Sequence, residues 1–176
     1  MDTELYVDID NYRAARELPG IKIFHYCGGL NFVSKDIFRS RLFDKIDFKQ
    51  RLKMRLKRNS SQEDLSHVNS YVSESDFCEE LNFVIIDASA VTTVDPISIK
   101  CLVNMNRALE SIGITMVLAG ANGPVLEAIE RYNSIEQVRL YLLKFPRVHD
   151  AVTYHNANVA TFKQPDTAVI IKKEEV

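Results

Sequence analysis

The chain has 176 residues, 46% of them hydrophobic, and a formal net charge of -2 at pH 7. It lacks the run of about 18 apolar residues that a membrane-spanning helix requires, and its polar start is unlike a signal peptide. We therefore expect a soluble, unsecreted chain with one domain. Its three cysteines form no C-x-x-C pair, which excludes a disulfide framework and favours a reducing cytosolic setting.

Two short apolar segments precede the first helical pattern. Residues 21–26 alternate and are rich in strand-forming side chains, Gly28-Gly29 interrupts them, and apolar character resumes over residues 30–33. We predict two strands joined by a Gly-Gly turn, which would be an N-terminal β-hairpin. Ser34 is then expected to be the N-cap of a helix. The inward positions of that helix are predicted to be Ile37, Phe38, Leu42 and Ile46.

A segment with separated charges follows this helix. Residues 49–58 carry six basic side chains and no acid, whereas residues 59–80 carry six acids and no Lys or Arg. The apolar residues of the basic run fit both a strand and an amphipathic helix, and the two interpretations remain open. The polar composition of residues 59–76 indicates a disordered loop. We therefore predict a disordered insert at about residues 49–80, and the family resemblance described below implies that it is variable.

The most informative stretch is residues 82–112. Residues 82–87 form an apolar run typical of a strand buried on both faces. Asp95 can cap a helix, and Pro96 has the φ angle of a first helical turn. Residues 114–119 repeat the buried-strand pattern. Buried strands thus alternate with helices along the chain. This order predicts an α/β fold with a four- to five-stranded mixed sheet and crossover helices, opened by the N-terminal hairpin.

Four segments occur in one order: PGIKIF at residues 19–24, LNFVS at 30–34, VIIDAS at 84–89 with VD at 94–95, and VHDAV at 148–152. Together they resemble the STAS domain of sulfate-permease-type (SulP) anion transporters, a fold that bacterial anti-sigma-factor antagonists share. The resemblance covers about residues 5–155 and implies one STAS domain at 5–156 followed by a flexible tail at 157–176.

The resemblance implies a non-catalytic cytoplasmic domain of a multi-span transporter at the plasma membrane. The implied cargo is chloride, bicarbonate, sulfate, oxalate or iodide, and the implied role is assembly, trafficking and regulation of transport. Implied partners are the transporter's own membrane domain, a second protomer, and cytosolic regulators such as a channel regulatory domain or a PDZ protein. No cofactor is implied. Two alternatives stay open: a standalone antagonist-like signalling domain that binds a kinase or nucleotide, and a module that senses anions or anionic lipid.

The central loop departs from the antagonists, where a phosphorylatable Ser directly follows the loop Asp. Here Pro96 follows Asp95, and proline has no hydroxyl to accept phosphate. We therefore predict that Thr92, Thr93, Asp95 and Pro96 form a fixed loop and helix cap. Phosphorylation of Ser98 is the less favoured interpretation of that hydroxyl, since helical hydroxyls commonly bond to backbone.

Motifs for catalysis are missing. The sequence has no G-x-S-x-G, G-x-x-x-x-G-K-[ST] or G-x-G-x-x-G loop, so we expect no enzyme. His25 and Cys27 could ligate a metal, but no second pair has ligand spacing, and we expect no metal site. His149 and Asp150 are interpreted as part of a structural loop rather than an acid–base pair.

Four kinds of binding or modification site remain as hypotheses. Because amides at a helix start attract anions, a chloride site is a hypothesis at Leu30, Asn31, Phe32 and Ser34; a satisfied cap is the simpler alternative. The basic run is a candidate contact for anionic lipid or a partner, and nucleic acid is disfavoured because only Phe48 flanks it. Its basic residues are Lys49, Arg51, Lys53, Arg55, Lys57 and Arg58. Candidate phosphorylation sites are Ser60, Ser61 and Ser73, and residues 174–176 could bind a PDZ groove.

Overall fold

A computed structural model describes residues 6–9, 11–60 and 81–162, which contain six strands and five helices. The elements are β1 (Ile21–His25), β2 (Gly28–Leu30), α1 (Lys35–Lys45), α2 (Phe48–Ser60), β3 (Phe83–Asp87), β4 (Val91–Val94), α3 (Pro96–Ser111), β5 (Thr115–Ala119), α4 (Gly123–Ile135), β6 (Leu143–Phe145) and α5 (Val148–Phe162). No helix in these ranges is long and apolar enough to cross a membrane. The predicted α/β class is confirmed.

The main sheet has four parallel strands in the order β1-β3-β5-β6, and β2 forms a separate parallel pair with β4. The predicted hairpin is therefore wrong, because β1 and β2 belong to different sheets. Backbone bonds explain the difference. Tyr26 donates to the carbonyl of Asp87 and Gly28 donates to that of Ala90, so the chain between β1 and β2 follows the β3–β4 segment. Antiparallel pairing, expected of a mixed sheet, is not seen among the described strands.

The two faces of the main sheet carry separate clusters of buried side chains. Val84 and Ile86 face a large cluster with α1, α3 and α4, whereas Phe83 and Ile85 face a smaller cluster with α5. This division follows from the two-residue period of a strand. It explains why the run at residues 82–87 is apolar without alternation.

Two predicted boundaries differ from the structure. Residues 48–60 form helix α2, so a disordered insert from residue 49 is wrong for its first part; residues 61–80 lie outside the described residues. The helix forms there because Phe48 and Leu52, four residues apart, pack against the large cluster. Helix α5 continues past residue 156, so the tail predicted from residue 157 begins as helix, and its remainder from residue 163 lies outside the described residues.

Candidate functional site

The candidate site lies where β2 and β4 end and helices α1 and α3 begin. We call residues 29–35 and 92–98 the Asp95 junction, because the Asp95 side chain joins the two segments. Its Oδ1 accepts a hydrogen bond of 2.7 Å from the Ser98 amide, and its Oδ2 accepts one of 2.7 Å from the Phe32 amide. The Asp95 amide in turn donates to the carbonyl of Leu30. One carboxylate thus caps α3 and fixes the loop before α1.

The predicted cap of α3 is present: Asp95 occupies the N-cap and Pro96 follows in the first turn. Burial raises the pKa of Asp95, but hydrogen bonds from Ser98 and from the Phe32 amide outweigh it and hold the pKa below its ordinary value. The carboxylate is therefore charged at neutral pH, and the helix start favours that charge.

The start of α1 is capped differently from our prediction. Ser34 stands at the N-cap position, but its side chain makes no capping bond. Its hydroxyl instead donates to the Gly29 carbonyl, at 2.8 Å, and accepts from the Asn31 amide, at 2.9 Å. The Asn31 Oδ1 accepts from the amides of Val33 and Ser34, at 3.0 and 3.2 Å. An asparagine turn therefore fixes the loop directly before α1, and the side-chain cap that we predicted at Ser34 is not formed.

These bonds count against a chloride site at the residues we predicted for it. The amides of Asn31, Phe32 and Ser34 donate to oxygens of Ser34, Asp95 and Asn31, respectively, and Leu30 belongs to the β2–β4 pair. An anion would have to displace a protein acceptor. It would also approach the Asp95 carboxylate, whose negative charge opposes it.

The exposed residues of β4 pack close to the β2 backbone. Thr92 and Thr93 are exposed, and a Cβ added to Gly29 would lie 3.0 Å from the Thr93 Oγ1. Such an approach is tighter than nine in ten real Cβ contacts, so a larger residue at position 29 would require the Thr93 side chain to shift. Thr92 and Thr93 themselves lie in strand β4, so their assignment to a loop is wrong, whereas the cap formed by Asp95 and Pro96 is present.

The Asp95 junction and the first turn of α1 together expose four large apolar side chains, which we call the pole surface. They are Phe32 (62% exposed), Val33 (78%), Ile37 (54%) and Ile97 (51%). The ammonium of Lys35 lies 5.1 Å from the centre of the Phe32 ring. Our inward assignment of Ile37 is therefore wrong, because the neighbouring Phe38 occupies the core face of α1.

Sequence reasoning missed Ile97 as a surface residue, although a signal existed. Ile99, Leu102 and Val103 define the buried face of α3. Ile97 is two residues before Ile99, which turns it about 200° away from that face.

The hydroxyl of Ser98 is unsuited to phosphorylation in this fold. Ser98 is fully buried, and its Oγ has no hydrogen-bond partner. A kinase could not reach it without opening the start of α3. Together with Pro96, this burial counts against an antagonist-like phosphorylation switch at the central loop.

The histidines singled out in the sequence have structural contacts. His25 Nδ1 lies 2.7 Å from Asp87 Oδ2 at the end of the β1–β3 pair. Burial by itself would raise the pKa of Asp87. Hydrogen bonds from His25 and Ser89 have the larger effect, so the pKa lies below its ordinary value. His149 and Asp150 lie in the first turn of α5, so the predicted loop is wrong there, and the His149 ring contacts the hydroxyl of Tyr6. No group of three or more His, Cys, Asp or Glu within the described ranges is placed to hold a metal.

A small cavity beneath the junction offers no cofactor site. Its volume is about 20 Å³, and it is lined only by apolar side chains of the large cluster, among them Phe38, Ala88 and Leu118. One water would nearly fill it and would find no polar partner there.

The basic residues of α2 divide into two groups. Arg51 Nε donates to the Ile46 carbonyl at 2.7 Å, and the Arg55 guanidinium lies against Gly113 at the end of α3. Lys49, Lys53 and Lys57 are exposed. Four candidate residues give no side-chain geometry, because the side chains of Arg58 and Ser60 and the whole of Ser61 and Ser73 lie outside the described part of the chain.

Comparison with known proteins places the fold in a family. The STAS domain model matches residues 12–151. Prestin of Mus musculus is 25% identical over 98% of this chain and 29% of its own length. The sulfate transporter of Equus caballus is 29% identical over 87% of this chain and 22% of its own length. The chain thus spans less than a third of each relative.

Solved structures agree with this assignment. A structure of SLC26A9 matches 93% of this chain and 24% of its own, with a TM-score of 0.70 and 29% identity. The STAS domain of a SulP transporter from Vibrio cholerae matches 85% of this chain and 91% of its own, with a TM-score of 0.50 and 14% identity, which supports the fold alone. The chain therefore belongs to the STAS domain family, whose domains are found in SulP anion transporters.

Proposed function

We propose that this chain is a non-catalytic regulatory and interaction domain on the cytoplasmic side of a membrane anion transporter. The support comes from relatives named prestin and sulfate transporter, in which the matching region is less than a third of the protein. A domain that forms so small a part of a transporter acts on transport through contacts with the remainder. Its partners in this proposal are the membrane domain of the same protein and a second protomer.

The observation that carries the proposal is the pole surface. Phe32, Val33, Ile37 and Ile97 are each more than half exposed at the same end of the domain. Clustered exposed apolar side chains are typical of protein contact sites. The backbone beneath them is fixed, because Asp95 bonds both to the Phe32 amide and to the Ser98 amide. A fixed surface loses little conformational entropy on binding, which favours specific association.

The test is a transport measurement on the full-length protein that carries this domain. We expect a double variant with Phe32→Ser and Ile97→Ser to lower chloride or sulfate flux per transporter at the cell surface by several-fold. The matched control is Ile135→Ser with Tyr141→Ser, which removes two apolar side chains that are 76% and 71% exposed outside the pole surface. That control should transport at close to the wild-type rate.

Urea unfolding of the 176-residue chain must first show that both double variants are folded. Normal flux and normal surface delivery of a folded pole variant would refute the assigned contact. A full-length wild-type protein that moves no anion would refute the proposed function as a whole.

A further inference from the structure

We propose that the outer side of α2 is a docking surface for an anionic membrane. We call this set of exposed residues the α2 face: Lys49, Lys53, Met54, Leu56 and Lys57. Met54 is 49% exposed and Leu56 is 61% exposed. The inference rests on the proposed function in one respect, namely that a transporter would hold the domain beside the cytoplasmic leaflet.

The first argument is that α2 is held to the domain in a definite orientation. Phe48 and Leu52 pack against the large cluster, and the Phe48 ring stacks on Phe43 with 4.3 Å between ring centres. Arg51 donates to the Ile46 carbonyl, which ties the same side of the helix to the end of α1. The α2 face is therefore presented outward by a fixed helix.

The second argument is charge. Residues 49–58 contain six basic side chains and no acid. Two of them, Arg51 and Arg55, contact the ends of α1 and α3, whereas Lys49 and Lys53 form no ion pair within the described ranges. Each lysine near an anionic leaflet adds a modest affinity, so the face should bind weakly and reversibly. Tethering to the membrane raises the effective lipid concentration and makes such weak binding effective.

The third argument is the apolar side chains among the lysines. Met54 and Leu56 are exposed on the two flanks of the lysines, so docking of the α2 face on a membrane would also remove apolar surface from water. Single-stranded nucleic acid would instead require exposed aromatic rings for base stacking. The aromatic residue of α2, Phe48, is partly buried against the core. These features favour lipid over RNA.

The experiment is co-sedimentation of the 176-residue chain with vesicles of phosphatidylcholine alone or mixed with phosphatidylserine, at low and high salt. We expect binding only to the anionic vesicles and a decrease at high salt, because salt screens exposed charges. The test variant is Lys49→Gln with Lys53→Gln and Lys57→Gln. Its affinity for anionic vesicles should fall roughly ten-fold or more, because at least the contacts of Lys49 and Lys53 with the anionic headgroups are lost together.

The matched control is Lys100→Gln with Arg107→Gln and Arg131→Gln, which removes the same charge from exposed positions on α3 and α4. It should bind as the wild type does. Equal binding of the wild type to both kinds of vesicle would overturn the proposal, as would an equal loss of vesicle affinity in the two triple variants. Binding to RNA without binding to vesicles would also overturn it. The vesicle assay contains no transporter, so its failure is distinct from failure of the transport test.

Discussion

Asp95 connects two segments that are far apart in sequence. Its carboxylate bonds to Ser98, three residues later, and to Phe32, 63 residues earlier. The first bond is a local helix cap. The second positions the pole surface, so the stability of the domain and the shape of its candidate contact depend on the same side chain.

We predict that Asp95→Ala lowers the free energy of unfolding by about 2–3 kcal/mol, because it removes a helix cap and a charge-assisted hydrogen bond. The free energy of unfolding of Asp95→Asn should lie between those of the wild type and Asp95→Ala, since an amide oxygen can still accept one hydrogen bond. Urea unfolding gives both values. As a control, Asp36→Ala should change the free energy of unfolding much less than Asp95→Ala does, because the side chain of Asp36 is mostly exposed and its ion pairs lie at the surface. If Asp95→Ala lowered the free energy of unfolding no more than Asp36→Ala does, Asp95 would not be the stabilising link between the two segments.

The pH dependence of this difference has a definite sign. The folded pKa of Asp95 lies below its ordinary value, so its charge contributes stability that is fully present above the unfolded pKa of about 3.9. That contribution is lost as the pH falls through the lowered folded pKa. The difference between wild type and Asp95→Ala should therefore be constant above about pH 5 and shrink below about pH 4. A difference that grows on acidification would show the opposite pKa shift.

The sequence predicted only part of this residue's role. Asp before Pro is a local signal, and the cap of α3 was found from it. The bond to Phe32 joins residues 63 positions apart, and no local spacing encodes such a pair. The same limit explains the anion hypothesis: the sequence showed a helix start with amides but not the acceptors already bound to them.

At the scale of elements, α2 and β2 show what local patterns leave undecided. The spacing of the apolar residues of α2 fits both the alternation of a strand and the period of a helix. Contact of Phe48 and Leu52 with the core favours the helix. Gly28-Gly29 is compatible with a hairpin, but β2 pairs with β4, which lies more than 60 residues later. Buried strands such as β3 were predicted correctly, because an apolar run of that length has few alternatives.

Two leucines of α2 test how firmly this helix is held. Leu52 packs against the large cluster, whereas Leu56, one turn later, is 61% exposed. We predict that Leu52→Ala lowers the free energy of unfolding by about 1–2 kcal/mol through lost apolar burial. The paired change, Leu56→Ala, should lower it by less than about 0.5 kcal/mol. Equal effects in urea unfolding would mean that α2 does not pack on the domain as described.

At the scale of the molecule, the sheet needs a helical layer on both faces. The second face carries Ile21, Phe83, Ile85 and Val117, and in the described structure α5 covers it with Ala151 and Val152. Burial of a side chain of this size contributes about 1.5–3 kcal/mol. Exposing three or four of them would offset most of the 5–15 kcal/mol that typically stabilises a domain. Helix α5 is therefore part of the domain rather than an appendage to it.

Chains ending at residues 146, 156 and 162 should differ accordingly. The chain ending at 146 lacks α5, and we predict that it loses cooperative urea unfolding and binds the dye ANS, since the second face is then open to solvent. The chain ending at 156 keeps Val152 and His155, whose Nε2 lies 2.8 Å from Asn82 Oδ1, and should be only modestly less stable than the chain ending at 162. An unchanged unfolding midpoint for the chain ending at 146 would contradict this account of the second core, because Ile85 and Val117 would then be stable without the layer that buries them.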